Sequence, residues 1–241
     1  MRAMNSTRID VARDEPAMSL FPAPLISGDW AEPDHAARHW IVALWSTVLG
    51  EDNFFLTHDV PGLRWRPLPF YPGHMLVEAA IRDERGRPGA ANAVLGPDGC
   101  VRIDGDSAPW HLFNERHGLH LDDAEMAAAY LEFFCTAIRG SDGRFRLITR
   151  IDASCFTGRP VDTAHAAEAL RPHARPISLT RTEEGDFAGE ALVLYNGDAF
   201  VARFLVKPGG FVEMEDDEQI ELADASLLAR ERYAGDIRWI M

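Results

Sequence analysis

The stretch Asp122-Asp123-Ala124-Glu125-Met126-Ala127-Ala128-Ala129-Tyr130-Leu131-Glu132-Phe133-Phe134-Cys135-Thr136-Ala137-Ile138-Arg139-Gly140 decides the fold class. Asp122 with Glu125 three residues on resembles a capping box, with Asp in place of the Ser or Thr of the strict form. Arg139 complements the negative end of the helix dipole, and Gly140 stops the helix. Apolar residues cover most of the circumference. The sequence therefore predicts a central helix over about 122–139, covered on more than one side.

On the C-terminal side of this helix the period changes from that of a helix to that of a strand. Residues 144–151 alternate, with Phe145, Leu147 and Ile151 on one face and Arg144, Arg146 and Arg150 on the other. A short helix is expected around 163–170. Strands are expected at 176–182, 187–195, 199–206 and 211–214, joined by the turns Glu184-Gly185, Asn196-Gly197-Asp198 and Pro208-Gly209-Gly210. A last helix is predicted from a cap at Asp224 to about Tyr233. The tail Ile237-Arg238-Trp239-Ile240-Met241 is too apolar to hang free, so it is expected to dock on this chain or on a second copy in a homodimer.

On the N-terminal side, Pro33 and Asp34 start a helix whose apolar positions run Ala37, Trp40, Ile41, Leu44, Trp45, Val48 and Leu49, with Gly50 as its stop. Strands are predicted at 53–58, 74–81, 90–95 and 100–103. Pro67 and Pro69 demote 63–70 to an edge or extended segment. Residues 1–18 lack any apolar pattern and read as a disordered tail. The resulting class is α+β, with antiparallel β-meanders packed around a central apolar helix. Residues 19–241 form the globular region, with a division into two subdomains at about 19–120 and 121–241 as the expected organisation.

Composition narrows the function classes. The net charge of -14 in 241 residues opposes non-specific binding to nucleic acid and docking on anionic lipid. It suits a small-molecule ligand or a protein partner. Lys207 is the sole lysine, so a Schiff-base lysine has one candidate position, and that position reads as a solvated hairpin end. The three cysteines, Cys100, Cys135 and Cys155, make neither a disulfide framework nor a C-x-x-C pair. With no signal-peptide pattern and no apolar run long enough to span a bilayer, the expected setting is a soluble protein in the cytoplasm.

Among chemistry-bearing residues, the densest cluster runs from Asp104 to His120, read as one non-regular stretch. His111, His117 and His120 with Asp104 and Asp106 are the donor types that hold zinc or a related divalent metal, although their spacing matches no established ligand motif. The plainer reading is an ordered loop with satisfied polar groups. His35 and His39 share a helix face, but Ala36 stands where a zincin needs its glutamate, so a solvated face is expected. Cys155 is a candidate nucleophile only if a histidine approaches it in space. Residues 213–218 are acidic without calcium-loop spacing, and read as a solvated hairpin end that discourages edge pairing.

Two functional readings follow. The first is a non-catalytic binding or regulatory protein with an aromatic-lined pocket built on Trp65, Tyr71 and Trp110, and with Arg144 and Arg146 available to an anionic ligand. The second is a metal-assisted hydrolase built on the His111, His117 and His120 segment. No cofactor is implied by any motif in the chain.

Overall fold

The computed structural model describes residues 20–240 apart from 22, 23, 25, 27, 142, 158, 159 and 224–226. The expected tail at 1–18, the cap at Asp224 and the last residue, Met241, lie outside them. In chain order the elements are α1 (His35–Leu49), α2 (Phe54–Thr57), β1 (Asp59–Pro67), β2 (Met75–Arg82), β3 (Pro88–Gly96), β4 (Gly99–Arg102), α3 (Ala108–His117), α4 (Ala124–Ala137), β5 (Arg139–Gly140), β6 (Gly143–Arg144) and β7 (Arg146–Leu147). There follow α5 (Pro160–Leu170), β8 (Ser178–Arg181), β9 (Phe187–Tyr195), β10 (Asp198–Val206), β11 (Val212–Gln219), β12 (Glu231–Ala234) and β13 (Ile237–Ile240).

The strands form two larger antiparallel sheets, and with the helices they make the predicted α+β class. The first sheet has the order β1-β2-β3-β13-β12, with β4 also paired to β3. The second has the order β11-β10-β9-β7, with β8 also on β9. Alternation along β2 and β3 sorts their side chains to opposite faces. Val77, Ala79, Ile81, Ala91, Ala93 and Leu95 pack with Ile41, Trp45 and Leu49 of α1. Leu76 and Val94 join a larger cluster with Tyr130, Leu131 and Phe133 of α4 and with Phe187, Val193 and Phe204 of the second sheet. That cluster takes side chains from both halves of the chain.

Helix α4 starts one residue later than the sequence signal, with the Asp123 carboxylate accepting from the Met126 amide at 2.8 Å. Eight of its fourteen residues are buried. Helix α1 is capped by Asp34 as expected, but its buried stripe is narrower than predicted: Ile41, Trp45 and Leu49 are covered, whereas Trp40 is 43% exposed.

Four expectations are corrected. Residues 54–57 are helical, because the Asn53 side chain caps the Phe55 amide at 3.1 Å. The segment 104–120 is not a continuous loop but contains α3. Asp106 caps the Ala108 amide at 3.0 Å, Pro109 sits in the first turn, and Gly118 ends the helix in the left-handed conformation. The single strand expected over 144–151 is split into β6 and β7. Residues 231–234 are a strand rather than the end of a helix, since Glu231 is drawn into a buried ion network and Ala234 pairs with Ile237 in a hairpin.

The apolar tail does dock, and it docks on its own chain: Arg238 and Trp239 pair with Ala90 and Gly89 of β3. It therefore supplies no argument for a homodimer. The acidic tract lies within β11, an edge strand of its sheet, where a row of carboxylates opposes pairing with another chain. Among the described residues, no helix is long and apolar enough to cross a membrane.

Candidate functional site

The first sheet carries charge into the interior on the face that holds Leu76. Glu78 of β2 is fully buried, pairs with Arg64 of β1, and lies 3.4 Å from Arg238 of β13. Asn92 of β3 donates to its second oxygen at 3.2 Å. Arg238 also reaches Glu231 at 3.1 Å, and Arg144 grips that same carboxylate with two hydrogen bonds of 2.6 and 2.7 Å. Burial alone would push Glu231 up. The nearby Arg144 and Arg238 guanidiniums overcome that and hold it well below the usual carboxylate range. Burial likewise opposes the charge on Arg144, but Glu231 outweighs it and the guanidinium is held more firmly protonated than usual.

Arg146, two residues on, sits differently. Its guanidinium donates to the Ser154 carbonyl at 3.0 Å, and no carboxylate among the described residues lies within ion-pair distance. Burial, and then the like charge of Arg144, weaken its hold on its proton relative to an ordinary arginine. It lines a cleft of about 550 Å³ together with Arg144, Arg150, Thr136, Asp152 and Ser154. The cations that share this cleft are matched. Arg144 is held by Glu231, and Arg150 lies 3.2 Å from Asp152. Arg146 is thus a sheltered guanidinium in this cleft, with one hydrogen bond of its own to the Ser154 carbonyl. Of the five residues expected to bind a ligand, Arg144 and Arg146 meet at this cleft.

The other three do not. Tyr71 and Trp110 are fully buried in the larger core cluster, and Trp65 packs at the edge of the α1 cluster with its backbone paired to Ala31. Tyr71 donates to Asn114, Asn114 donates to the Tyr130 hydroxyl at 2.7 Å, and Tyr130 donates to the Gly210 carbonyl at 3.0 Å. This chain of hydrogen bonds ties α3 and α4 to the β10–β11 turn. Burial pushes the Tyr130 hydroxyl up to about 12 and the Tyr71 hydroxyl higher still.

The expected metal donors are dispersed. His111 is exposed beside Phe134 and Phe211, and His120 is exposed with Asp122 at 3.6 Å. Asp104 and Asp106 are used in turn and cap contacts to the Asp106 and Ala108 amides. Only His117 enters a group in mutual ligand range, and its companions there are His74 and Asp98, which sequence reading did not single out. The signal for them was weak: His74 opens a strand and Asp98 sits in a hairpin turn. His35 and His39 stay on an exposed helix face, as expected. Cys155 is buried, its thiol is pushed up chiefly by burial, and its sulfur faces the Arg150 carbonyl at 3.8 Å, an unfavourable setting for a nucleophile.

No protein-family model, no curated protein and no solved structure matches this chain.

Proposed function

We propose that this protein is a non-catalytic binding protein whose ligand is a small acidic molecule, carboxylate or phosphate in class, seated on Arg146. The observation that carries the reading is a sheltered guanidinium with no carboxylate in ion-pair distance among the described residues, lining a cleft of about 550 Å³ in an otherwise strongly acidic chain. A planar guanidinium offers paired donors to such a group, and partial burial strengthens each bond. The three unpaired cysteines fit a cytoplasmic setting, and the overall negative charge keeps polyanions such as nucleic acid from competing for the cleft.

The test is a thermal-shift screen of the purified chain against small carboxylates and phosphate esters, followed by calorimetry on any that bind. Arg146→Met is expected to weaken binding by roughly 10- to 100-fold, the range for losing a charge-assisted contact. Arg87→Gln, at an exposed position outside the cleft lining and already paired with Asp83, is expected to change it by less than about threefold. A screen in which no acid binds, or an Arg146→Met variant that binds as the parent does, would overturn the reading.

A further inference from the structure

We infer that His74, Asp98 and His117 form a binding site for a divalent first-row transition metal of the zinc type. The three come from separate parts of the chain: His74 from the residue before β2, Asp98 from the β3–β4 turn, and His117 from the last position of α3. One potential ligand atom from each lies within 4.8 Å of the others.

The ring nitrogens are set up for this role. His74 is 7% exposed, and its Nδ1 faces the Pro72 carbonyl at 3.1 Å. A proton on Nδ1 donated to that carbonyl leaves Nε2 as the free lone pair, the arrangement that orients metal-bound histidines. The Nε2 of His117 lies 3.1 Å from Asp98 Oδ2, yet it is buried and makes no hydrogen bond of acceptable geometry. Two groups at that distance that do not point at one another can share a third atom. Ligands about 2.0–2.1 Å from a tetrahedral ion stand roughly 3.3 Å apart, close to the separation seen here.

The surroundings hold the imidazoles in place. Phe113 packs against both, with ring centroids 5.1 Å from His74 and 4.1 Å from His117, and the two imidazoles are 4.8 Å apart. At Gly96 a Cβ would overlap the His74 ring, so only glycine lets the imidazole lie against the end of β3. Asp98 is about one-third exposed, which leaves the site a route to solvent. Arg116, an exposed guanidinium, lies 3.8 Å from Asp98 and can turn into water. Two imidazoles and one carboxylate favour zinc and its neighbours over magnesium or calcium, and three protein ligands leave one position of a tetrahedral ion to water.

The experiment is titration of the chelator-treated full chain with Zn²⁺, Co²⁺ and Mg²⁺, read by calorimetry, melting temperature and, for Co²⁺, visible absorption. One equivalent of Zn²⁺ is expected to bind and to raise the melting temperature by roughly 5–10 °C at a hundredfold excess over Kd. Co²⁺ should show tetrahedral or five-coordinate bands, and Mg²⁺ no effect. His117→Ala and Asp98→Asn are each expected to weaken Zn²⁺ binding at least about tenfold. Asp98 lies in an exposed turn, so its variant reports on the site even if a change at buried His74 prevents folding. His39→Ala and His120→Ala, at exposed histidines elsewhere, should leave binding unchanged. Absence of stoichiometric binding would overturn the inference, as would binding lost with His39 or His120 and kept without His117.

Discussion

Replacing Glu231 by alanine is expected to lower the stability of the protein by about 3–5 kcal/mol, the cost of stranding a buried guanidinium without its counter-ion. For a chain of this size that corresponds to a fall of roughly 6–20 °C in melting temperature. The reason is local. Glu231 accepts two hydrogen bonds from Arg144, one from Arg238 at 3.1 Å and one from the Tyr233 hydroxyl at 3.0 Å. Without it, the nearly inaccessible Arg144 is left without its carboxylate beside Arg238, which keeps Glu78 at 3.4 Å.

The effect has a defined pH dependence. The folded-state pKa of Glu231 is depressed, so its contribution is fully present above the unfolded pKa of about 4.3 and is lost as pH falls towards the folded value. The advantage of the parent over Glu231→Gln is therefore full at pH 7. Below about pH 4.5 it shrinks by up to about 1.4 kcal/mol per pH unit. Denaturant melts of both proteins between pH 3 and 7 check this, and a gap that stays constant down to pH 3 rules out the network as its source.

The second large effect is expected at Asn114. Asn114→Ala should cost about 2–4 kcal/mol, since the buried Tyr71 hydroxyl loses its acceptor and the Tyr130 hydroxyl loses a donor. Tyr71→Phe removes only one end and should cost about 1–2 kcal/mol. The double variant should show a coupling of about 0.5–3 kcal/mol, as expected for residues in one hydrogen-bonded chain. With both phenols pushed up to about 12 or beyond, this loss should not vary between pH 5 and 9, in contrast to that at Glu231. A double variant whose loss is simply the sum of the two single losses, or a loss that tracks pH, would point to a different cause.

The parts of the fold legible in the sequence were those fixed by short-range chemistry. Helix α4 announced itself through its alanine run and acidic start. The hairpins β9–β10 and β3–β4 did so through Asn196-Gly197 and Asp98-Gly99 between apolar runs. What escaped depends on distant partners. Residues 231–234 carry good helix formers, but Glu231 is committed to Arg144, 87 positions away, and β12 is held by β13. Helix α3 was concealed by polar residues that suggested a loop, although Pro109 and Gly118 mark its first turn and its end. The arginines at 144 and 146 were visible as a pair. Their difference was not, because the distant Glu231 pairs directly with Arg144 and acts on Arg146 only from beyond ion-pair distance. His117 was similarly visible, while its companions His74 and Asp98 lie far from it in sequence and meet it only in the folded chain.

The position of β13 also bears on how the molecule can be made. Beside β4, β3 takes its second edge partner at residues 89–90 from the far C-terminal end of the chain. The buried Glu78 meets its second arginine 160 positions later. A chain emerging from the ribosome therefore leaves the start of β3 without its neighbour until residues 237–240 have been synthesised, and loop closure over that distance is among the slow steps of folding. A nascent chain stalled before Arg238 presents an open strand edge at Gly89 and Ala90 and leaves Glu78 without one of its two arginines. An open edge of that kind is a template for pairing with another chain, which the docking of β13 removes.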